Sequence, residues 1–203
     1  FYDVAYDMAE PYNVYGGLQD NQSVFGPSAT RSVKGILNQH WTVSDFGDGM
    51  VQAADPQDSR YVYTSSQGGA IIRHDPRTGD RKVIKPFPAD TAETYRYYWT
   101  APFILSPSDP ATIHLGGNRL FTTHNRGMSW TESGDLTRGL DRDSIPIMGV
   151  LSDSTTLSRN DGAGGYGNIT TISEAPLNPD VLWVGTDDGL VQVSEEGGAT
   201  WTE

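Results

Sequence analysis

Four copies of one pattern of short apolar runs constrain this 203-residue sequence more than any other feature. In each copy, a cluster of Pro with acidic or amide residues separates a first apolar run from a second, and a polar or Gly-containing turn separates the second run from a third. The clusters lie at 9–17, 54–64, 106–117 and 175–186. Short runs rich in β-branched and aromatic residues, with turn residues between them, are typical of β-strands. The sequence therefore predicts four copies of a small antiparallel sheet.

Each copy is about fifty residues long, which is typical of the blades of a β-propeller. A single four-stranded sheet leaves two broad faces uncovered, so we expect the copies to cover one another. The sequence therefore predicts an all-β fold, a β-propeller in which four four-stranded antiparallel blades are visible. The expected boundaries are 1–46, 47–92, 93–133 and 167–203 for the blades and 134–166 for a long inserted loop.

Two of the copies carry a sharper motif after the third run, T-H-N-R-G-M-S-W at 123–130 and S-E-E-G-G-A-T-W at 194–201. Both fit Ser/Thr-x-(Asp/Asn/Glu)-x-Gly-x-(Ser/Thr)-Trp, which resembles the Asp-box, or BNR repeat, of sialidases, xyloglucan-cleaving hydrolases and sortilin-type receptors. In such a turn the acidic or amide side chain and the hydroxyls hydrogen-bond to the backbone, Gly adopts a positive φ, and Trp packs between blades. The resemblance implies these structural roles for Asn125, Gly127, Trp130, Glu196, Gly198 and Trp201. Because Glu196 replaces the usual Asp or Asn, we expect the second turn to be held less tightly.

The resemblance extends along most of the chain. The runs Y-N-V-Y-G-G-L-Q-D-N at 12–21, T-A-P-F-I-L-S-P-S-D-P at 100–110 and V-G-T-D-D-G-L-V-Q-V-S at 184–194 are similar to large bacterial proteins described as sortilin-like or glycosyl-hydrolase-like propellers. This resemblance implies that the four blades belong to a larger propeller, and that the protein is secreted, periplasmic or on the cell surface. It is more specific for fold than for activity, because propellers host unrelated functions.

The composition narrows the classes of partner. The chain has 26 Asp and Glu against 14 Lys and Arg, a net charge of −12, which argues against nucleic acid or an anionic membrane as partner. Cysteine is absent, so no disulfide framework or thiolate metal site is expected. No apolar run approaches the ~20 residues of a membrane span, so we expect no membrane insertion. His74 has no second ligand at metal-binding spacing, so we expect a surface histidine, and we expect no metal or cofactor.

Topology predicts where a ligand binds. In a four-stranded meander, the turns between second and third strands lie on the same side as the links between blades, and the Asp-boxes lie on the opposite side. We call the first side the turn face and the second side the box face. Because rigid scaffolds carry function in their loops, we expect the ligand at the turn face. The candidate ligand-binding residues are Gln19, Asp20, Asn118, Arg119, Asp187 and Asp188 in the turns, Tyr97 and Trp99 in a link, and Arg159, Asn160 and Asp161 in the long loop.

Each of two segments on the turn face allows two interpretations. The cluster Y-R-Y-Y-W at 95–99 can stack on sugars or cations, or it can fill the core between blades. We expect it to do both, with at least two of its rings buried. The long loop at 134–166 is either a ligand-binding element or a Gly-rich cover over the mouth of the propeller.

Three functions remain open from the sequence. The first is a binding module that takes a glycan or a peptide in the funnel, as sortilin-type propellers do. The second is a glycoside hydrolase, which needs two carboxyl groups about 5–5.5 Å or about 6.5–9.5 Å apart. Its candidates on the turn face, none of which matches a catalytic motif, are Asp20, Asp48, Asp161, Asp187 and Asp188. The third is a structural repeat in a large surface protein, and we favour binding or scaffolding over catalysis.

The ends of the blade array imply a further partner. If four blades form an open arc, apolar sheet faces around 4–6 and 191–201 stay uncovered. Such faces need a neighbour, which is either the rest of a larger propeller or another chain.

Overall fold

Antiparallel sheets follow one another along the chain in the computed structural model, which describes residues 1–90, 92–146, 148–157 and 165–203. The first sheet consists of β1 (Val4–Tyr6), β2 (Asn13–Gly17), β3 (Ser23–Pro27) and β4 (Thr42–Asp45). The second consists of β5 (Gln52–Ala54), β6 (Val62–Ser66), β7 (Ala70–His74) and β8 (Arg81–Val83). The third consists of β9 (Phe103–Leu105), β10 (Ile113–Gly116), β11 (Leu120–Thr123) and β12 (Thr131–Glu132). In each sheet the strands pair in chain order, as a meander does.

The fourth sheet differs from the expectation of four strands. It contains β13 (Ile169–Ala175), β14 (Asn178–Thr186) and β15 (Val191–Ser194). Where the fourth strand of this blade would follow, a single isolated bridge joins Val193 and Thr202. One paired residue does not make a strand, so this sheet has three strands in the described residues.

Alternate side chains of each strand point to opposite sides of its sheet, and this alternation builds apolar cores between neighbouring sheets. The core between the second and third sheets contains the buried side chains of Tyr63, Ile71, Ile84, Tyr97, Phe103, Ile113, Leu115 and Phe121. The core between the third and fourth sheets contains Leu120, Leu136, Ile169, Ile172, Leu182 and Val184. Burying one such large side chain contributes roughly 1.5–3 kcal/mol, so these cores hold consecutive sheets together.

The packing of the first strands shows how the sheets are arranged. β1 lies beside β5, and β9 lies beside β13, so the first strand of each of these sheets is the inner one. The later strands of each sheet lead outward from them in order. This is the arrangement of consecutive blades in a β-propeller, and we call the four sheets blades 1 to 4. None of the helices in the described residues is long and apolar enough to cross a membrane.

Blades 1 and 2 meet through polar side chains as well as apolar ones. The side-chain oxygen of Gln52 accepts hydrogen bonds from Ser44 (3.0 Å) and Thr64 (3.1 Å), and all three residues are buried. The side-chain amide of Gln52 donates to the carbonyl oxygen of Val24 in blade 1, at 3.4 Å. A buried polar group is costly unless it is hydrogen-bonded, and here the amide is satisfied on both of its atoms.

His74 is buried, so the prediction that it is a surface histidine is wrong. It is 4% exposed, its Nε2 lies 3.2 Å from the hydroxyl of Thr64, and its ring lies 6.0 Å from the ring of Phe25. The end of β7 is covered by blade 1, which the sequence of blade 2 alone does not reveal. Burial lowers the pKa of His74 to about 4, and the nearby charge of Arg81 adds to this effect.

The turn at 123–130 is held by side chains that bond to its own backbone. The hydroxyl of Thr123 accepts from the amide of Gly127 at 3.0 Å, and Oδ1 of Asn125 accepts from the amides of Met128 (3.0 Å) and Ser129 (2.9 Å). Gly127 has a φ of +80°. The indole of Trp130 then donates to the carbonyl oxygen of residue 84 in blade 2, at 2.7 Å. This turn therefore ties blade 3 to blade 2.

The turn at 194–201 repeats part of this arrangement. Ser194 accepts from the amide of Gly198 at 2.8 Å, and Gly198 has a φ of +91°. Among the described residues, the side chain of Glu196 accepts only from the hydroxyl of Thr200, at 2.8 Å. The indole of Trp201 donates to Gly198, and its ring packs against the core between blades 3 and 4. Backbone amides that Asn125 satisfies in the first turn have no equivalent bond to Glu196.

The two ends of the blade array are uncovered. On the outer side of blade 1, Phe1, Val4, Tyr6 and Trp41 are 84%, 63%, 67% and 43% exposed. On the outer side of blade 4, Trp183 and Val191 are 48% and 62% exposed. The structure thus shows the uncovered apolar faces that an open arc of blades implies.

Candidate functional site

The turn face is built from hydrogen bonds between each β2–β3-type turn and the blade-to-blade link beside it. In blade 1, the amide of Gly49 donates to Leu18 (3.0 Å), and the amide of Gln22 donates to Gly47 (3.1 Å). The carboxylate of Asp48 accepts from the amide of Asp20 at 2.9 Å. Asp48 is therefore used to hold the turn, while the side chain of Asp20 stays exposed.

The same arrangement continues into blades 2 and 3. The side-chain oxygen of Gln67 accepts from the amide of Asp48 at 3.0 Å. Next to it, the amide of Gly68 donates to the carbonyl oxygen of Trp99 at 2.9 Å. These contacts place Asp20, Asp48, Gln67 and Trp99 on one continuous strip. The indole of Trp99 is 39% exposed and so faces solvent on this strip.

Asn118 in blade 3 is a buried connector. Its side-chain oxygen accepts from the amide of Arg96 (3.0 Å), and its side-chain nitrogen donates to Asp135 (2.9 Å). The guanidinium of Arg96 also donates to Asp135 (3.2 Å) and to the carbonyl oxygen of Gly167 (3.3 Å). Burial works to raise the pKa of Asp135, but hydrogen bonds from Thr137 and Asn118 outweigh it and leave the pKa below its ordinary value. Asn118 is 4% exposed and is occupied on both polar atoms.

Arg119 is neutralised by neighbouring carboxylates. Its guanidinium pairs with Glu93 at 2.6 Å and with Glu132 at 3.1 Å, and its side chain is 25% exposed. The hydroxyl of Tyr95 donates to the same Glu132. An anionic ligand would have to displace these two carboxylates to reach Arg119.

Asp187 and Asp188 hold the start of blade 4. Oδ1 of Asp187 accepts from the amides of Gly167 (3.0 Å) and Asn168 (2.8 Å). Asp188 accepts from the amide of Arg138 (2.7 Å) and from the hydroxyl of Thr186 (2.6 Å). The two carboxylates therefore pin the start of the long loop, at Arg138, and the residues just after its end to the β14–β15 turn.

The candidates of blades 3 and 4 lie together on one side of the molecule. The amide of Ile169 donates to the carbonyl oxygen of Gly117, next to Asn118, at 2.8 Å, and the amide of Asp187 donates to Asn168 at 3.0 Å. Asn118 and Asp187 thus both border the segment around Gly167. The expected placement of the two turns on a common face agrees with this geometry.

The aromatic cluster at 95–99 has fewer buried rings than expected. Tyr97 is 7% exposed, and its ring lies 5.8 Å from the ring of Phe121. Tyr95 also packs on Phe121, at 4.7 Å, but it is only half-buried because its hydroxyl reaches the surface residue Glu132. The prediction of at least two buried rings is wrong, since Tyr97 alone is buried. Arg159, Asn160 and Asp161 lie outside the described residues.

One acidic residue on the turn face, Asp45, is not among the candidates predicted from the sequence. Asp45 ends β4, three residues before Asp48. Burial raises the pKa of Asp45, and the amide of Phe46 and the charge of Arg81 offset this only in part. The feature of the sequence that could have indicated Asp45 is the position of its carboxyl group, at the end of an outer strand and next to a blade-to-blade link.

A concave apolar cleft near the inner strands was also missed. It has a volume of about 440 Å³ and is lined mainly by side chains from the ends of β1, β5 and β9, including Tyr6, Met8, Ala54, Phe103 and Leu105. It lies where the first strands end, away from the turn face. The signal in the sequence was the apolar alternation V-A-Y-D-M at 4–8, whose members Tyr6 and Met8 are 67% and 70% exposed.

Solved structures with a similar fold include three GH74 proteins. A GH74 xyloglucanase from Xanthomonas campestris matches 91% of this chain and 26% of its own, with a TM-score of 0.53 and 12% identity. An ancestral GH74 enzyme matches 98% of this chain and 23% of its own, with a TM-score of 0.55 and 13% identity. The GH74 enzyme of Niastella koreensis matches 94% of this chain and 27% of its own, with a TM-score of 0.54 and 14% identity.

These similarities establish the fold. The chain spans about a quarter of the length of the GH74 proteins, and the low identity shows a common β-propeller architecture alone. No family model and no curated protein sequence matches the chain. The function must therefore be argued from the site itself.

Proposed function

We propose that this chain is a segment of an extracytoplasmic Asp-box β-propeller that binds a glycan or a peptide at its turn face. One observation carries the proposal. On this face Asp48, Asp187 and Asp188 accept hydrogen bonds from backbone amides, whereas Gln19, Asp20 and Trp99 are exposed. Three of the five carboxylates predicted as hydrolase candidates thus serve the scaffold, and the exposed groups are free to bind a ligand.

The exposed groups have the chemistry of carbohydrate recognition. An exposed indole offers an apolar surface on which a sugar ring can stack, and exposed amide and carboxylate groups accept and donate hydrogen bonds to hydroxyls. Trp99 is fixed by the bond from Gly68 to its backbone, so its ring is presented by a rigid strip. The solved structures with the same fold include a xyloglucanase, which supports a glycan as the first ligand to test.

A glycoside hydrolase is the second candidate, because of Asp45. A carboxyl group whose pKa is raised by burial can act as a general acid, and burial raises the pKa of Asp45. The reaction would also need an ionised carboxylate about 5–5.5 Å or about 6.5–9.5 Å away. Asp20 has an exposed carboxylate on the same blade and is the partner to test.

Calorimetry with xyloglucan oligosaccharides tests the binding proposal, and a reducing-end assay on the same samples tests hydrolysis. We expect saturable binding without new reducing ends. The variant Trp99→Ala should bind at least tenfold more weakly, because it removes the stacking surface. Trp183→Ala is the matched control, since Trp183 is similarly exposed but lies on the outer side of blade 4.

Other outcomes separate the alternatives. New reducing ends that disappear in Asp45→Asn would assign the chain to the hydrolases. Binding of peptides but not of oligosaccharides, with the same loss in Trp99→Ala, would keep the site and change the ligand class. Equal binding by the Trp99 and Trp183 variants would refute the turn face as the site.

The Asp-box assignment and the missing neighbour belong to the same proposal. The turns at 123–130 and 194–201 share a hydroxyl acceptor, a glycine of positive φ and a Trp packed between blades, which supports Asp-box roles for both. The uncovered outer sides of blades 1 and 4 support the rest of a larger propeller, or another chain, as partner.

A further inference from the structure

Basic residues are concentrated at one corner of this acidic chain. The net charge is −12, yet six of its 14 Lys and Arg residues lie around the turn end of the β7–β8 hairpin on the box face. They are Arg60, Arg73, Arg77, Arg81, Lys82 and Arg126. A cleft of about 230 Å³ lies beside this turn and is lined by four of the six, Arg60, Arg73, Arg81 and Lys82.

Three of the six basic residues are neutralised by carboxylates. Arg60 pairs with Asp58 at 2.5 Å, Arg77 with Asp75 at 3.0 Å, and Arg126 with the buried Asp55 at 3.2 Å. These pairs hold the rim of the cleft in place. They also occupy Asp75, which is one of the two carboxylates that line the cleft.

The other three cations have no such partner. Among the described residues, Arg73, Arg81 and Lys82 make no ion pair. Arg73 donates to the carbonyl oxygen of Arg126 at 2.8 Å, and Arg81 donates to the carbonyl oxygen of Val43 at 2.9 Å. Asp80 is the remaining carboxylate of the lining, so the walls of the cleft keep an excess of positive charge.

The strand register makes this excess costly. Arg73 and Lys82 are directly opposite each other in the β7–β8 pair. Like charges at directly opposed positions destabilise a sheet. The sulfur of Met128 accepts from both side chains, from Lys82 at 3.0 Å and from Arg73 at 3.9 Å, but it carries no charge that would offset the repulsion. An anion bound beside this sulfur would turn the repulsion into attraction.

A tyrosine ring orders the arginines. The guanidinium groups of Arg126, Arg73 and Arg60 lie 4.5, 5.4 and 5.6 Å from the centroid of the Tyr61 ring. Such contacts stabilise a cation over an aromatic face and restrict the orientation of the guanidinium. Guanidinium groups fixed in this way match a pair of oxygens of a carboxylate, sulfate or phosphate group.

We propose that the cleft at the turn end of the β7–β8 hairpin binds an oxyanion group, with Arg73 and Lys82 as its principal contacts. The volume is below the ~300 Å³ of pockets for drug-sized ligands, so it suits a single charged group. That group is a sulfate, phosphate or carboxylate, either free or carried by a saccharide. The cleft lies on the box face, so the proposal stands or falls independently of ligand binding at the turn face.

Isothermal titration with sodium sulfate and sodium phosphate tests the cleft, with chloride holding the ionic strength constant. The wild-type chain should bind at least one of these anions saturably. Arg73→Gln combined with Lys82→Gln should weaken that binding at least tenfold. Arg31→Gln combined with Lys34→Gln removes the same charge from an exposed connection and should leave it unchanged. No saturable binding, or equal losses in the two double variants, would overturn the proposal.

A stability measurement separates a binding role from a structural one. Without anion, Lys82→Gln should melt no lower than the wild type, because it removes the repulsion with Arg73. With sulfate or phosphate, only the wild type should gain the extra stability that a bound ligand provides. A lower melting temperature in Lys82→Gln, together with undiminished anion binding, would show that Lys82 is structural.

Competition identifies the source of the anion. Sulfated, phosphorylated and uronic-acid-containing oligosaccharides would be titrated against the wild type and the Arg73/Lys82 double variant. A saccharide that binds more tightly than its inorganic anion, and only to the wild type, assigns the cleft to an acidic glycan. Equal affinities for the saccharide and its inorganic anion assign it to the free anion.

Discussion

Buried histidines and carboxylates decide how the blades respond to acid. Between blades 3 and 4, His114 lies 3.1 Å from Glu174 through Nε2 and 3.0 Å from the hydroxyl of Thr122 through Nδ1. Ser106 and Ser108 donate to the other oxygen of Glu174, at 2.7 and 3.0 Å. A neutral imidazole with its proton on Nε2 satisfies every one of these groups. Burial lowers the pKa of His114, and the neighbouring Glu174 offsets this only in part.

His74 gives a direct prediction for pH dependence. Its folded pKa of about 4 is below the ordinary value of 6.5, so the unfolded chain binds the proton more readily than the folded one. The stability that depends on neutral His74 is therefore complete above pH 6.5 and declines as the pH falls toward 4. The shift corresponds to a loss of about 3 kcal/mol at pH 4.

Urea unfolding followed by tryptophan fluorescence at pH 7 and pH 4 measures this loss. His74→Gln should lose about 3 kcal/mol less than the wild type between these two pH values, whatever its stability at pH 7. The control is His124→Gln, which replaces an exposed imidazole elsewhere in the chain. Equal losses in the wild type and His74→Gln would contradict the assignment of a neutral, buried His74.

Residue positions show where sequence reasoning reaches its limit. The turn at 187–189 was predicted from Asp and Gly alone, because φ preferences are local. The burial of His74 was not, because blade 1 covers it, and the order of inter-blade contacts is not written in the sequence of β7. The hydrogen bonds of Asp187 were not predicted either, because the donating amides belong to residues 167 and 168, about twenty positions earlier in the chain. Local pattern identified the side chains on the turn face but not their partners.

At the scale of single elements, the two box turns form a natural comparison. Both have the hydroxyl, the positive-φ glycine and the Trp, and both bond to the preceding hairpin of their own blade, through the amides of Arg126 and Gly197. They differ in the third residue, where Asn125 accepts from two backbone amides and Glu196 accepts from one hydroxyl. The carboxylate of Glu196 thus bonds to the hydroxyl of Thr200 and not to the amides of its own turn.

The difference predicts unequal costs of truncation. Asn125→Ala removes the side-chain acceptor of two backbone amides, although the amide of Met128 keeps the carbonyl oxygen of residue 125 at 3.3 Å, and should lower the free energy of unfolding by about 1 kcal/mol. Glu196→Ala removes one exposed hydroxyl contact and should cost less than about 0.5 kcal/mol. Chemical unfolding of both variants measures the contrast. A larger loss for Glu196→Ala than for Asn125→Ala would show that the two turns are held by some other interaction.

Element prediction from the sequence worked best where turn residues alternate with apolar runs. The strands of blades 2 and 3 follow such runs closely, and the meander order follows from short connections. The last strand of blade 4 was the exception, because Thr200 and Trp201 belong to the turn and only Thr202 pairs with Val193. The box turn therefore includes residues whose sequence pattern alone would predict a strand.

At the scale of the whole molecule, the two ends of the blade array expose apolar surface that no other described part of the structure covers. Val4, Tyr6 and Trp41 of blade 1 are exposed to solvent, as are Trp183 and Val191 of blade 4. Between blades, equivalent positions are filled by the cores that join blades 2, 3 and 4. The ends are therefore blade surfaces of the kind that elsewhere in this chain is covered by the next blade.

This arrangement predicts how the 203-residue chain behaves by itself. Each uncovered face exposes apolar surface whose burial contributes roughly 25 cal/mol per Å². At tens of micromolar, the chain should therefore associate, with the outer side of blade 1 of one copy against the outer side of blade 4 of another. Light scattering after gel filtration should give a mass above that of one chain. Tyr6→Glu combined with Trp183→Glu should shift the mass toward the monomer.

The control must carry the same added charge away from the blade faces. Val33→Glu combined with Leu177→Glu meets this requirement, because both side chains are fully exposed in a loop and a hairpin turn. Association that persists in this control but is lost in the Tyr6/Trp183 variant would locate the contact on the end faces. A strictly monomeric wild-type chain would instead mean that the apolar ends are tolerated in water, and the case for a covering partner would fail.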